Sequence, residues 1–472
     1  MDKDDVQECG RSKKKMTFAL TLLLLLIMRL AWTRVLPWRP ISVSTVNLIG
    51  TLLYIALGLE YMQLTGTWQA ILMVLIFYFF LLVGEYYGRR IPLDEANFAR
   101  LGELLRHKSG LILWAIVFFG IYSSLPLATA LASGQSITEM LSNIWASYGI
   151  AARSSRLVEW LYTQQNLSGV QAALLAVQRQ LTGFWLLSVG IVWGYYPKMT
   201  LFFIFLYILG YMATSGGARS GIFLVGGIIV TIWLKSKRRL RLRHLALVGI
   251  LFVGGLLVAD YLLAGRSGIQ ATGSIPERLV RALEMDFAYG GKGIDFAMHS
   301  RPPSFETGIN YILRLVYLPI PRMLWTSKPT IDPNWEMTEH YYGAPIERIG
   351  TIVLLTPIAE ALFYFGYIGL IIIPLFYGIV ASWLERLYST SPAFWGLLAQ
   401  VYTWALLGMR HTFWNLFGAL VVANLAMIAS LFVVKSLNYG RFSRKFVKKR
   451  EPELKRYLGP ATLQENQGPD VT

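Results

Sequence analysis

Cysteine is nearly absent: Cys9 is the only one in 472 residues. An intrachain disulfide and a cysteine metal cluster are both excluded. Histidine is scarce too, at 107, 244, 299, 340 and 411. None of these shows the His-x-x-x-His spacing that places two imidazoles on one helix face, so no metal centre is expected. Charged residues make up only 15% of the chain, against roughly 25% in soluble domains. Nucleophile elbows, phosphate-binding glycine loops and dinucleotide fingerprints are missing as well. So is the strand alternation of a membrane barrel.

What is present is apolar length. Hydrophobic residues reach 55% and aromatics 14%. Apolar segments run over 16–36, 41–63, 67–88, 109–133, 181–197, 199–217, 220–234, 245–264, 351–384, 392–409 and 413–434. Most approach the ~20 residues that span a bilayer. The expectation is an all-α polytopic membrane protein of about 11 spans, since backbone in lipid must satisfy its own hydrogen bonds. The 351–384 run is long enough for a broken helix, with Pro357 and Gly366 as break points. Lys13–Lys15 before the first run imitates a secretory leader. Arg29 and Arg34 stand where small residues would mark cleavage.

The net charge of +17 is concentrated. Lys235–Arg243 holds six cations and no acid, and the tail from Lys435 holds nine cations against four acids. The positive-inside rule places both in the cytoplasm, together with 89–108. An outer amphipathic segment over 134–180 and a large outer loop over 265–350 follow. The chain then divides into an N-terminal bundle 1–264, the loop 265–350, C-terminal spans 351–434 and a basic cytoplasmic tail 435–472. Eleven spans with an inside tail put Lys13–Lys15 outside, against the charge rule. The basic runs flank apolar helices and form no nucleic-acid-binding module, so no nucleic acid is expected as a partner.

Four constellations could carry chemistry. Tyr317–Pro329 holds Arg322 and Lys328 among Pro319, Pro321 and Pro329, which stiffen the segment. Two cations on a stiff aromatic loop fit an anionic head group such as a lipid-linked diphosphate, or a plain interface anchor. Thr214–Ile222 is rich in glycine and serine and sets Arg219 at the head of an apolar helix. Helix-start N–H groups with a guanidinium make a diphosphate cradle, or a turn with a snorkelling arginine. Glu360 lies at the outer end of an apolar helix. A carboxylate there is costly unless paired or titrated, so it is a general base or a structural counter-charge. Arg410 and His411 share the tip between the last two spans. They are a phosphate ligand and a proton carrier, or inert loop residues.

Taken together, Pro-x-Pro-Arg-x-Leu-Trp-x-x-Lys-Pro, the Glu360 helix with its Phe-Gly-Tyr-Ile-Gly, and Arg410 at the last hairpin resemble the Wzy-type oligosaccharide repeat-unit polymerases over residues 200–430. Arg410-His411 departs from the Arg-Gly-Asp of many relatives. The resemblance implies a GT-C-like glycosyltransferase with no metal or other cofactor. Its substrate would be a polyprenyl-diphosphate-linked oligosaccharide at the outer face of the bacterial cytoplasmic membrane. A flippase and a chain-length regulator would be its partners. It also implies diphosphate or glycan contacts for Arg219, Arg322, Lys328 and Arg410, and a role for Glu360. The acceptor hydroxyl needs one catalytic base, for which the chemistry makes Glu360 the first choice and His411 the second. An O-antigen ligase-like transferase and a lipid or polysaccharide transporter are the alternatives, although no paired repeats of the transporter kind occur.

Overall fold

The computed structural model describes residues 19–36, 42–56, 67–132, 169–214, 219–236, 293–299, 305–318, 333–345, 356–410 and 412–438, with a few isolated positions besides. These residues are all-α, without strands. In chain order the helices are α1 (19–31), α2 (Val43–Thr51), α3 (Thr67–Arg90), α4 (Glu95–His107), α5 (Ser109–Ala132), α6 (Gly169–Trp193), α7 (Pro197–Thr214) and α8 (Arg219–Ser236). Then come α9 (293–299), α10 (Phe305–Tyr317), α11 (Pro333–Tyr342), α12 (Pro357–Phe365), α13 (Gly369–Ser389), α14 (Trp395–Leu407), α15 (Phe413–Leu420) and α16 (Leu425–Asn438). Two compact units contain them, Met1–Ala426 and Met427–Thr472.

Among the described residues, four helical stretches are long and apolar enough to cross a membrane: Trp68–Arg90, Ser109–Ala128, Pro357–Ser389 and Phe413–Phe432. Val43–Ala56, Leu181–Trp193, Pro197–Gly210 and Leu224–Ser236 are shorter apolar helices. The apolar residues do not all turn inward. Leu113, Trp114, Val117 and Ile121 form an exposed stripe along α5, which lipid can cover and water would not tolerate cheaply.

Glycines set a close helix crossing. Gly84 and Gly88, four apart, meet the α13 backbone: a Cβ would fall 2.2 Å from the Leu375 carbonyl oxygen at Gly84 and 2.4 Å from that of Ile379 at Gly88. Gly378 returns the contact, 2.4 Å from the Leu81 oxygen by the same measure. Small residues at this spacing let two backbones touch where lipid gives no hydrophobic drive for association. The pairings 84 with 375 and 88 with 379 advance together, so α3 and α13 run parallel.

Polar groups lock the end of this pair. Asn47 Nδ2 donates to Glu85 Oε1 at 2.8 Å, Ser44 Oγ donates to Glu85 Oε2, and the Tyr377 hydroxyl donates to Asn47 Oδ1 at 3.0 Å. Next to it, Glu385 Oε1 accepts from the Val43 amide at 3.1 Å and the Tyr402 hydroxyl at 3.0 Å, and Arg89 lies 3.5 Å from Oε2. Arg386 grips Glu95 at 2.8 Å and the carbonyl of Ile91 at 2.9 Å, which fastens α4 across the end of α3. These bonds satisfy groups that would be expensive in an apolar interior. Glu85→Leu is expected to destabilise the protein in detergent by about 1–3 kcal/mol for each orphaned donor. Adding Ser44→Ala and Asn47→Leu should recover part of the loss, which thermal melts of the single and combined variants would measure.

A second knot ties α5, α6 and α7. The buried Trp185 indole donates to Ser123 Oγ at 3.0 Å, and its ring lies 4.5 Å from that of Tyr207 and 5.7 Å from that of Tyr122. Residues 169–180, at the end of the expected outer segment 134–180, form the first half of α6; 139–168 lie outside the described residues. The long C-terminal run does break at Gly366, at φ 61°, a left-handed conformation suited to glycine. The run over 413–434 breaks too, at Val422–Asn424. There the Asn424 amide donates to the carbonyls of Ala419 and Leu420 at 3.1 and 3.0 Å and to Gln400 Oε1 at 2.8 Å, inserting a side chain into the helical ladder.

Candidate functional site

Glu360 is the best-defined of the expected site residues. Thr356 caps α12, accepting from the Ala359 amide at 3.3 Å, and Pro357 takes the first helical position, where its missing N–H costs nothing. Glu360 therefore falls in the first turn, fully buried. Its carboxylate reaches out of its own helix. Oε2 accepts from the Phe413 amide, and Oε1 accepts from the Trp414 amide at 3.3 Å and from the Tyr311 hydroxyl at 2.9 Å.

Phe413 and Trp414 open α15, so Glu360 caps a helix that starts 53 residues later. Thr412 occupies the cap position of α15 but makes no side-chain cap bond. Its buried Oγ1 has no hydrogen-bond partner among the described residues. The capping task has passed to a carboxylate from another helix, where negative charge meets the positive end of the α15 dipole. At least three of about four acceptor positions on the carboxylate are taken.

This clamp fixes the turn that carries Arg410. α14 ends at Leu407, and the Gly408 and Arg410 amides donate back to Trp404 at 2.7 Å and to Leu407 at 2.9 Å. A Cβ on Gly408 would sit 2.5 Å from both a Leu416 methyl and the Trp404 oxygen, so the turn closes tightly. Arg410, half-buried, lies three residues before the first clamped amide.

Tyr311 leads to a second acid. Its ring lies 4.6 Å from that of Tyr364, whose hydroxyl donates to Glu336 Oε2 at 2.9 Å. Arg314, one turn after Tyr311 on α10, donates Nη1 to the same oxygen. One face of α10 thus holds both Glu360 and Glu336. Beside them an open cleft of about 540 Å³ is lined by Glu336, Glu339, His340, Gly343, Ala344 and Pro345. Among the described residues no three His, Cys, Asp or Glu side chains gather as metal ligands.

The other expected residues are less fully placed. Arg219 is the first residue of α8. Arg322, Lys328 and His411 lie outside the described residues. Sequence reading missed Tyr311, Arg314, Glu336 and Tyr364. The one local signal was Tyr311 and Arg314 at i, i+3 spacing, which shares a helix face; nothing local paired them with acids on α11 and α12. No family model matches the sequence, and no curated protein or solved structure matches it.

Proposed function

We propose that this chain is an integral membrane glycosyltransferase that polymerises lipid-diphosphate-linked oligosaccharide units on the outer face of a bacterial cytoplasmic membrane. In this reading it is a GT-C-like bundle of about 11 spans, counted from the apolar segments. The Glu360 end faces outward, and the end bearing Arg89, Arg90 and Arg386 faces the cytoplasm. The observation that carries the reading is the clamp: a buried carboxylate spends its hydrogen bonds on rigidifying the turn next to Arg410. Such supporting bonds are what a cation needs to meet a phosphate in a fixed geometry.

The chemistry is a displacement at the anomeric carbon of the donor. The acceptor hydroxyl forms the new C–O bond, the bond to the lipid diphosphate breaks, and the hydroxyl proton passes to a base. Arg219, Arg322, Lys328 and Arg410 offset the charge growing on the diphosphate. Glu360 and His411 are the two candidates for the proton. Because Glu360 is so heavily hydrogen-bonded, His411 is the acceptor in this reading and Glu360 holds the turn.

Purified protein supplied with one lipid-linked repeat unit tests the proposal. A ladder of products is expected. A single transfer onto a different acceptor would make it a ligase, and no bond formation would leave a transporter. In the same assay Arg322→Ala should lose about 2–4 kcal/mol of transition-state stabilisation. Arg322→Lys should recover little of it, because an ammonium cannot contact two phosphate oxygens as a planar fork does. Turnover of the lysine variant near that of the parent would reduce Arg322 to an interface anchor.

A further inference from the structure

We infer that α10 is seated in the outer leaflet of the bilayer, with one face in the acyl boundary while another holds Glu360 and Glu336. The choice of leaflet rests on the orientation proposed above, whereas the placement at the boundary is independent of the reaction. It begins from the three-sided pattern of the helix. At roughly 100° per residue, Ile309, Ile312, Leu313 and Val316 fall on one stripe at i, i+3, i+4 and i+7, and they are 39, 50, 40 and 63% exposed. Gly308 and Tyr311 face the opposite way. A Cβ on Gly308 would meet the Tyr364 oxygen at 3.1 Å, and Tyr311 is buried on Glu360. Arg314, on Glu336, borders that buried face, and a polar flank with Glu306 and Asn310 exposed lies between it and the stripe.

A helix on the surface of a soluble domain needs two faces, one to the core and one to water. Here a third, wholly apolar face is left open. The neighbouring span exposes apolar side chains as well. α10 docks on α12 beside the break at Gly366, and just past that break Tyr367, Ile368, Ile371 and Ile372 are exposed along the start of α13. In a chain with membrane-crossing helices such apolar surface is where lipid lies. A helix along the boundary would present the stripe to acyl chains and the Glu306–Asn310 flank to headgroups and water, the arrangement of interfacial amphipathic helices. The occupant is therefore the lipid leaflet. The two acids are then held by a helix whose depth is set by the bilayer.

Spin-label accessibility tests this on the full chain in phosphatidylcholine/phosphatidylglycerol vesicles. In a Cys9→Ser background, nitroxides are placed at Ile312→Cys, Val316→Cys and Asn310→Cys, all exposed positions outside the proposed chemistry. Collisions with oxygen, which partitions into acyl chains, should dominate at 312 and 316. Collisions with a water-soluble nickel chelate should dominate at 310, so that the ratio of the two reverses between stripe and flank. Chelate-dominated collisions at 312 and 316 would overturn the inference. Labels there that neither reagent reaches would overturn it as well. Dipolar broadening that fades on dilution with unlabelled protein would then identify a second copy of the chain as the occupant.

Discussion

Glu360→Gln is expected to lower the stability of the protein by about 2–4 kcal/mol and to stop product formation with it. The carboxylate accepts the Phe413 and Trp414 amides and the Tyr311 hydroxyl. A carboxamide keeps one oxygen and turns an NH₂ toward donors that need an acceptor. At least one buried N–H is left unpaired, and the charge that answers the α15 dipole disappears. Each charge-assisted bond contributes about 1.5–3 kcal/mol, and an orphaned buried donor costs about 1–3 kcal/mol. Thermal melting and chain extension should be measured on the same preparation. Falling together, they identify a positioning residue. A variant as stable as the parent, with chemistry slowed by roughly 10²–10⁴-fold, would instead make Glu360 the proton acceptor. His411→Ala should give that second pattern, with slow chemistry and an unchanged melt.

Gly84→Ala should damage the fold, whereas Gly226→Ala should not. Both glycines lie inside apolar helices, where alanine is favoured over glycine by about 1 kcal/mol. Nothing lies within 4 Å of a Cβ built at Gly226, so the propensity gain should survive there. At Gly84 the added carbon meets backbone, the Leu375 oxygen at 2.2 Å and the Leu375 carbonyl carbon at 2.9 Å. No rotamer change relieves a clash with backbone, so the helices must separate. The cost belongs at or beyond the upper end of the ~1–3 kcal/mol typical of overpacking. Opposite signs for the two substitutions in thermal melts, with a broadened gel-filtration peak for Gly84→Ala alone, are the expected result. Equal shifts would remove the α3–α13 crossing from the description of the fold.

These cases show how much a one-dimensional reading can reach. The apolar runs were visible because lipid imposes length and composition directly on the chain. The break at Gly366 was visible because glycine and the nearby Pro357 act on their own backbone. The break at Val422–Asn424 was not, because one asparagine in an apolar run reveals its effect only when its amide finds Gln400 and two carbonyls. Glu360 stood out as a charge in an apolar helix. Its partners did not, since Tyr311 lies 49 residues before it and Trp414 lies 54 after it. No periodicity spans such distances. For the same reason a base and a structural counter-charge were both readable in the sequence, whereas the cap that Glu360 places on α15 was not.

The parallel pairing of α3 with α13 also bears on how the protein is made. Arg386 and Glu95, which fasten this part of the bundle, are separated by 291 residues. α3 leaves the ribosome long before the helix that covers its glycine face has been synthesised. Until then Gly84 and Gly88 present a groove to lipid, and Glu85 waits in the bilayer without the neighbours that Tyr377 and its helix bring. Contacts between such distant segments form late, because the intervening chain must first be brought together. A polypeptide truncated before residue 369 would thus insert its early helices yet lack the partner that closes them. It should be cleared by membrane quality control, and supplying the missing residues 369–472 as a separate chain is the way to ask whether the groove can still be filled.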